Sequence, residues 1–182
     1  MDRNQRQESA SDACHINLNQ GIVNKLVVHG GQALSGSVRT AGSKNATLPI
    51  IAASLLIDSP LVINNAPNIT DVDVMLSVVR GLGSSVARDD CGRVSLQSHP
   101  TSSKVCLKHM SDIRGSIAVL GPILSRRGHA KIHFPGGCNF GNRPVDVHLD
   151  GLRELGAEIV ITNDTIVATA PKCGLHLSLI HI

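Results

Sequence analysis

A thiol held in a run of glycines is the place where this sequence is best equipped for chemistry: Phe134-Pro-Gly-Gly-Cys-Asn-Phe-Gly-Asn-Arg-Pro-Val-Asp-Val-His148. Cys138 lies at its centre, Arg143 follows five residues on, and both phenylalanines of the chain fall within it. Fixed positive charge beside a thiol favours the thiolate, which reacts at neutral pH. A single cysteine is more often a buried packing residue. A Gly-Gly-Cys in a long polar loop is a poor place to bury one, so the reactive reading is preferred. Three glycines give this loop the backbone freedom to open and close over a ligand.

Two cations stand apart from the other basic residues. Lys44 and Arg114 each open an apolar helical stretch, and a helix start already draws anions through its free N–H groups and its dipole. Together they suit a phosphate or a carboxylate. An ordinary surface cation is the commoner explanation for either one alone; their matched placement weighs against it. Asp146 and His148 follow Arg143 closely and suit anchoring the loop, capping a helix or contacting a ligand. Capping is the better explanation for Asp146. The remaining histidines show no ligand-like spacing, and Gly30-Gly31 lacks the rest of a dinucleotide fingerprint. No metal and no cofactor are therefore expected. Cys91, Cys106 and Cys173 receive no role: the five cysteines are odd in number and form no Cys-x-x-Cys pair.

The elements that must carry these residues can be followed along the chain. Residues 1–24 are rich in Asn, Gln, Ser and Asp and read as a disordered extension. Short strands are expected at Lys25–His29 and around Gly36–Arg39. An apolar helix follows from Ala46 to Ile57, capped by Ser43 or Asn45, with Pro49 tolerated by falling in the first turn. Next come a strand at Leu61–Asn64 and a helix from about Asp71 to Leu82, with Val72, Met75, Leu76 and Val79 at helical spacing and Gly83 closing it. Strands follow near Ser85–Arg88 and Arg93–Gln97. The same order then returns: a helix over Asp112–Leu124, a strand at Lys131–Phe134, a helix over Val145–Leu155 closed by Gly156, and strands near Glu158–Ile161 and Ile166–Thr169.

The repeat shows in the numbering. Lys44 matches Arg114 at an offset of 70 (114 − 44), and Val62 matches Ile132 at the same offset. Asp73 matches Asp146 at 73 (146 − 73), as Gly83 matches Gly156. The second copy thus gains three residues, assigned to the loop 135–143, and extra length in one copy marks a place to look for function. The expected class is α/β (α+β), built of repeated helix–sheet units.

Composition limits the possible roles. The chain of 182 residues is 42% hydrophobic and 17% charged, as a globular domain is. Only 1% of residues are aromatic, which disfavours binding nucleic acid by base stacking. A net charge of +3 without a basic cluster points the same way. No apolar run reaches membrane-spanning length, the polar N-terminus lacks the apolar core of a secretory signal, and a reducing cytoplasm fits the cysteines.

Ala41-Gly-Ser-Lys-Asn-Ala46, Ile113-Arg-Gly-Ser-Ile117 with Leu120-Gly-Pro122, and Pro135-Gly-Gly-Cys138 leading to Gly141-Asn-Arg-Pro-Val-Asp-Val-His148 resemble the signatures of the enolpyruvyl transferases, from Lys25 to about Pro171. The cysteine loop favours the branch acting on a nucleotide sugar over the shikimate branch. The resemblance implies an inverse α/β barrel-type domain of three helix–sheet repeats, of which two are present. Residues 25–43 would be leading strands of a second domain, 44–110 and 111–172 the two repeats, and 173–182 a tail outside the family pattern. It also implies phosphoenolpyruvate and UDP-N-acetylglucosamine as partners. Lys44 and Arg143 would hold phosphoenolpyruvate, Arg114 phosphate groups and Asn45 the amino sugar. Arg143, Pro144, Val145, Asp146, Val147 and His148 would border the uridine, and Cys138 would be the catalytic acid and the target of fosfomycin. The alternatives are a truncated, inactive fragment of such an enzyme or a shikimate-branch relative.

Overall fold

The computed structural model describes residues 30, 31, 33, 35–99, 101–103, 113–134, 145–162 and 165–176. Contacts divide the chain into Met1–Val38 and Arg39–Ile182. The described residues of the first segment are irregular, and Val38 is 91% exposed. The strand expected around Gly36–Arg39 does not form. An extended stretch becomes a strand only with a neighbour in hydrogen-bonding reach, and no described strand pairs with these residues. The extension 1–24 and the strand expected at 25–29 lie outside the described residues.

The second segment opens with α1 (Lys44–Ala53), continued by a 3-10 turn at Ser54–Leu56. Its buried positions Leu48, Ile51, Ala52 and Leu55 recur at helical spacing. Ser43 is the cap: its Oγ accepts from the Ala46 N–H at 3.3 Å. Pro49 lies beyond the first turn, contrary to expectation. It forfeits the bond to the carbonyl of Asn45, which sits at an exposed position where water can take its place.

Strand β1 (Leu61–Ile63) precedes α2 (Thr70–Gly81), then β2 (Ser85–Arg88) and β3 (Val94–Gln97). Gly83 has φ +106°, the left-handed conformation that ends a helix cheaply only at glycine. The second copy runs from a 3-10 segment (Arg114–Val119) into α3 (Leu120–Arg127), β4 (His129–His133), α4 (Asp146–Glu154), β5 (Glu158–Ile161) and β6 (Thr165–Thr169). A single helix was expected from Asp112; the break has a chemical cause. Pro122 cannot donate to the preceding turn, and Gly115 and Gly121 are weak helix formers.

Each copy folds into a three-stranded antiparallel sheet with the same connectivity, β1-β3-β2 and β4-β6-β5. The register corrects the sequence offset. Inward-facing Ile63 pairs with Val94 and Leu61 with Leu96; inward-facing Ile132 pairs with Ile166 and Ala130 with Ala168. Ile63, not Val62, therefore matches Ile132, at an offset of 69 (132 − 63), and Val62 points outward, 41% exposed. A one-residue slip exchanges the faces of a strand, so helix and strand connect one residue more tightly in the second copy. The loop before α4 is then longer by four residues (73 − 69), not three.

One face of each sheet joins a common apolar core with the helices. Three buried serines cross it: Ser84 Oγ donates to Ser98 Oγ at 3.0 Å, Ser54 and Ser98 hydroxyls lie 3.1 Å apart, and Ser54 donates to the Ile51 carbonyl at 2.7 Å. Chained hydroxyls satisfy one another, as burial requires. At the surface, Arg126 spans the copies to Asp58 at 2.6 Å and holds that carboxyl below the usual carboxylate range.

Candidate functional site

The first turn of α1 carries Lys44 and Asn45, both exposed. The loop before it is held by close backbone packing. A Cβ added to Gly42 would collide with the carbonyl oxygen of Asn65 and come within 3.3 Å of Pro67 Cδ. Only glycine lets this loop lie on the β1–α2 connection, where Asn65 itself takes a positive φ of 58°. That packing brings α1 beside α2. Lys44 Nζ lies 2.7 Å from Asp71 Oδ1, in the first turn of α2.

Arg114 begins the 3-10 segment, which packs on both α1 and α2. A Cβ at Gly115 would fall 2.9 Å from Leu48 Cδ1, one turn beyond Lys44. The segment that Arg114 begins therefore lies against the first turns of α1. Among the described residues Arg114 makes no hydrogen bond or ion pair.

Val145, Asp146, Val147 and His148 form the entry to α4, and they divide by environment. Val145 is a core residue, 8% exposed, while Val147 is 78% exposed. Asp146 is the first residue of the helix and makes no cap bond, contrary to expectation; the cap position is Val145, whose side chain has no acceptor. The carboxylate still lies where the helix dipole favours it. His148 is exposed on one side. On the other it lines a groove of about 450 Å³ with Ala118, Gly121, Pro122 and Leu152. Loss of water there disfavours the imidazolium and lowers the His148 pKa below its ordinary 6.5.

Cys138, Arg143 and Pro144 lie outside the described residues. The structure thus brings Lys44 next to Asp71 and sets the Arg114 segment against α1. Asp71 had no assigned role. The signal for it was an acid in the first turn of the helix after the Lys44 helix, but pairing across 27 residues (71 − 44) needs the fold. A second, polar cleft of about 580 Å³, lined by Arg39, Asn64, Asn65, Asp89, Cys91 and Arg93, also went unmarked in the sequence. Among the described residues no cluster of His, Cys, Asp or Glu has metal-binding geometry, and no helix is long and apolar enough to cross a membrane.

Paired helix–sheet repeats of one connectivity, with a cation at the start of the first helical stretch in each, make this an α/β domain built by repetition. The chain belongs to the enolpyruvyl transferase family: residues 28–182 match the profile described as EPSP synthase (3-phosphoshikimate 1-carboxyvinyltransferase). The match includes the stretch 173–182. Among curated relatives, UDP-N-acetylglucosamine 1-carboxyvinyltransferase of Coxiella burnetii is 43% identical over 150 residues, covering 81% of this chain and 34% of that protein. The proteins of the same name from Akkermansia muciniphila and Myxococcus xanthus are 40% and 43% identical, covering 81% and 82% of this chain and 35% and 36% of theirs. The enolpyruvyl transferase NikO from Streptomyces tendae superposes with a TM-score of 0.66 at 25% identity, over 79% of this chain and 32% of that one. The chain spans about a third of the length of the relatives it matches.

Proposed function

We propose that the protein containing these residues transfers the enolpyruvyl group of phosphoenolpyruvate to the 3-hydroxyl of UDP-N-acetylglucosamine, releasing phosphate, as the first committed step of peptidoglycan synthesis in the cytoplasm. The observation that carries this reading is identity of 40–43% to enzymes named for that reaction, over a stretch that includes the cysteine loop. Packing of the segment that Arg114 begins on the helix that Lys44 begins supports it.

Lys44 and Arg143 hold phosphoenolpyruvate, Arg114 neutralises phosphate, and Asn45 contacts the amino sugar. Arg143, Pro144, Val145, Asp146, Val147 and His148 border the uridine, with Val145 acting through its backbone because its side chain is buried. The Cys138 thiol gives its proton to the methylene carbon of phosphoenolpyruvate. The neighbouring carbon becomes oxocarbenium-like, and the sugar hydroxyl attacks it while giving its proton to a general base. Loss of phosphate and of one methyl proton then restores the double bond on the transferred group. Cations fixed around the phosphate in a dry cleft stabilise the charge that develops.

The test is to join residues 25–171 to a complete homologous second half and measure phosphate release. Cys138→Asp should retain activity and lose sensitivity to fosfomycin, because a carboxylic acid can deliver the proton. Cys138→Ser should lose nearly all activity, and the 182-residue chain alone should release no phosphate. Full activity in Cys138→Ser contradicts the reading.

A further inference from the structure

We propose that Asp71 is part of the anion site, as an intramolecular competitor for Lys44; this rests on the reading of Lys44 as an anion-binding residue. The carboxylate lies 2.7 Å from the ammonium, and the two side chains are 31% and 48% exposed. No other acid in the first turn of α2 is available to Lys44. Asp73 is committed to Arg88 at 2.7 Å, and the same guanidinium donates to the Pro67 carbonyl at 3.0 Å. Asp71 makes no other hydrogen bond or ion pair among the described residues, and its charge is favoured by its place at a helix start. It is aimed at Lys44 alone.

The second repeat supplies the contrast. At the offset that matches Gly83 to Gly156, Asp71 corresponds to Pro144 (71 + 73), which has no charge to offer Arg114. Of two cations at matched places, one is neutralised by the following helix, and the other has no ion-pair partner among the described residues. An anion arriving between them meets Arg114 directly but must break or share the Lys44–Asp71 pair. The pair therefore lowers anion affinity, and it keeps Lys44 extended along the first turn of α2 until a ligand takes over. Exposed ion pairs of this kind shift an equilibrium by about fivefold at most.

The 182-residue chain, labelled with nitrogen-15, would be titrated with phosphoenolpyruvate at low ionic strength while the amide signals of Asn45 and Ala46 are followed. Asp71→Asn should tighten binding about two- to fivefold, and Asp71→Ser should do the same. Lys44→Met should weaken it, and Lys44→Met with Asp71→Asn should bind no better than Lys44→Met alone, because the effect runs through the ammonium. Unchanged or weaker binding by both Asp71 variants overturns the competitor role. An equal gain in the Lys44→Met background also overturns it, since Asp71 would then act on the ligand directly. If neither the parent chain nor Asp71→Asn binds, the anion-site reading of Lys44 falls, and this proposal with it.

Discussion

In the first repeat Leu48, Ile51, Met75, Val79 and Leu82 are all 6% exposed or less. Their counterparts in the second repeat at the helix offsets of 70 and 73, Ala118, Gly121, His148, Leu152 and Leu155, line the 450 Å³ groove. The 3-10 segment of the second repeat lies on α1 and α2 and closes the first face; the second face is open. The converse holds for the surface that does the covering. Ser116, Val119, Leu120 and Ile123 are wholly buried against the first repeat, whereas the matching α1 positions Ala46, Pro49, Ile50 and Ala53 are exposed. Equal places in a repeat do not confer equal burial, because each unit relies on its neighbour to exclude water. Side-chain chemistry follows the burial: Met75 where the face is closed, His148 where it is open.

The largest effect should come from Gly42, where, among the described glycines, an added Cβ would press hardest on backbone. Gly42→Ala forces a methyl group onto the Asn65 carbonyl, and rigid backbone cannot yield as a side-chain tip can. A loss of about 3 kcal/mol or more is expected in a urea titration. A loss below about 1 kcal/mol would mean that the loop before α1 is not held as described. Next in size is the contrast between matched leucines. Leu82→Ala leaves a cavity in a closed face and should cost about 3 kcal/mol. Leu155→Ala, beside the groove, should cost about 1 kcal/mol, since water can already reach part of the site. Equal losses would erase the difference between the two faces.

A smaller effect should appear with pH. Desolvation lowers the His148 pKa below 6.5 in the folded chain, so the unfolded chain takes up the proton first as pH falls. Stability from this residue is complete above pH 6.5 and declines as pH drops through the folded pKa. His148→Met, which places the first repeat's residue in the second, should flatten that part of the stability profile. An unchanged profile would show that the groove does not desolvate the ring.

Much of this arrangement was legible in the sequence. The spans expected for β2 and β5 are those observed, and α2 matched its helical spacing, because short apolar runs and helical spacing are local patterns. The paired sheets followed from the repeat. Other features depended on contacts that the pattern does not record. A helix with Gly115, Gly121 and Pro122 has the same apolar spacing whether or not its first turns are 3-10. The offset of Val62 to Ile132 was one residue out because the tighter helix–strand connection cannot be seen in apolar strands without register. Lys44 and Arg114 looked alike for the same reason: Asp71 becomes relevant to Lys44 only once α1 and α2 lie together.

Hydrogen exchange on the 182-residue chain tests most directly whether the two repeats differ in closure. Residues 77–81 of α2 and 150–154 of α4 occupy matched helical positions, so helix geometry alone would protect them alike. With one face covered and the other open, the α4 amides should exchange about tenfold faster or more. Equal protection of the two stretches would contradict the account.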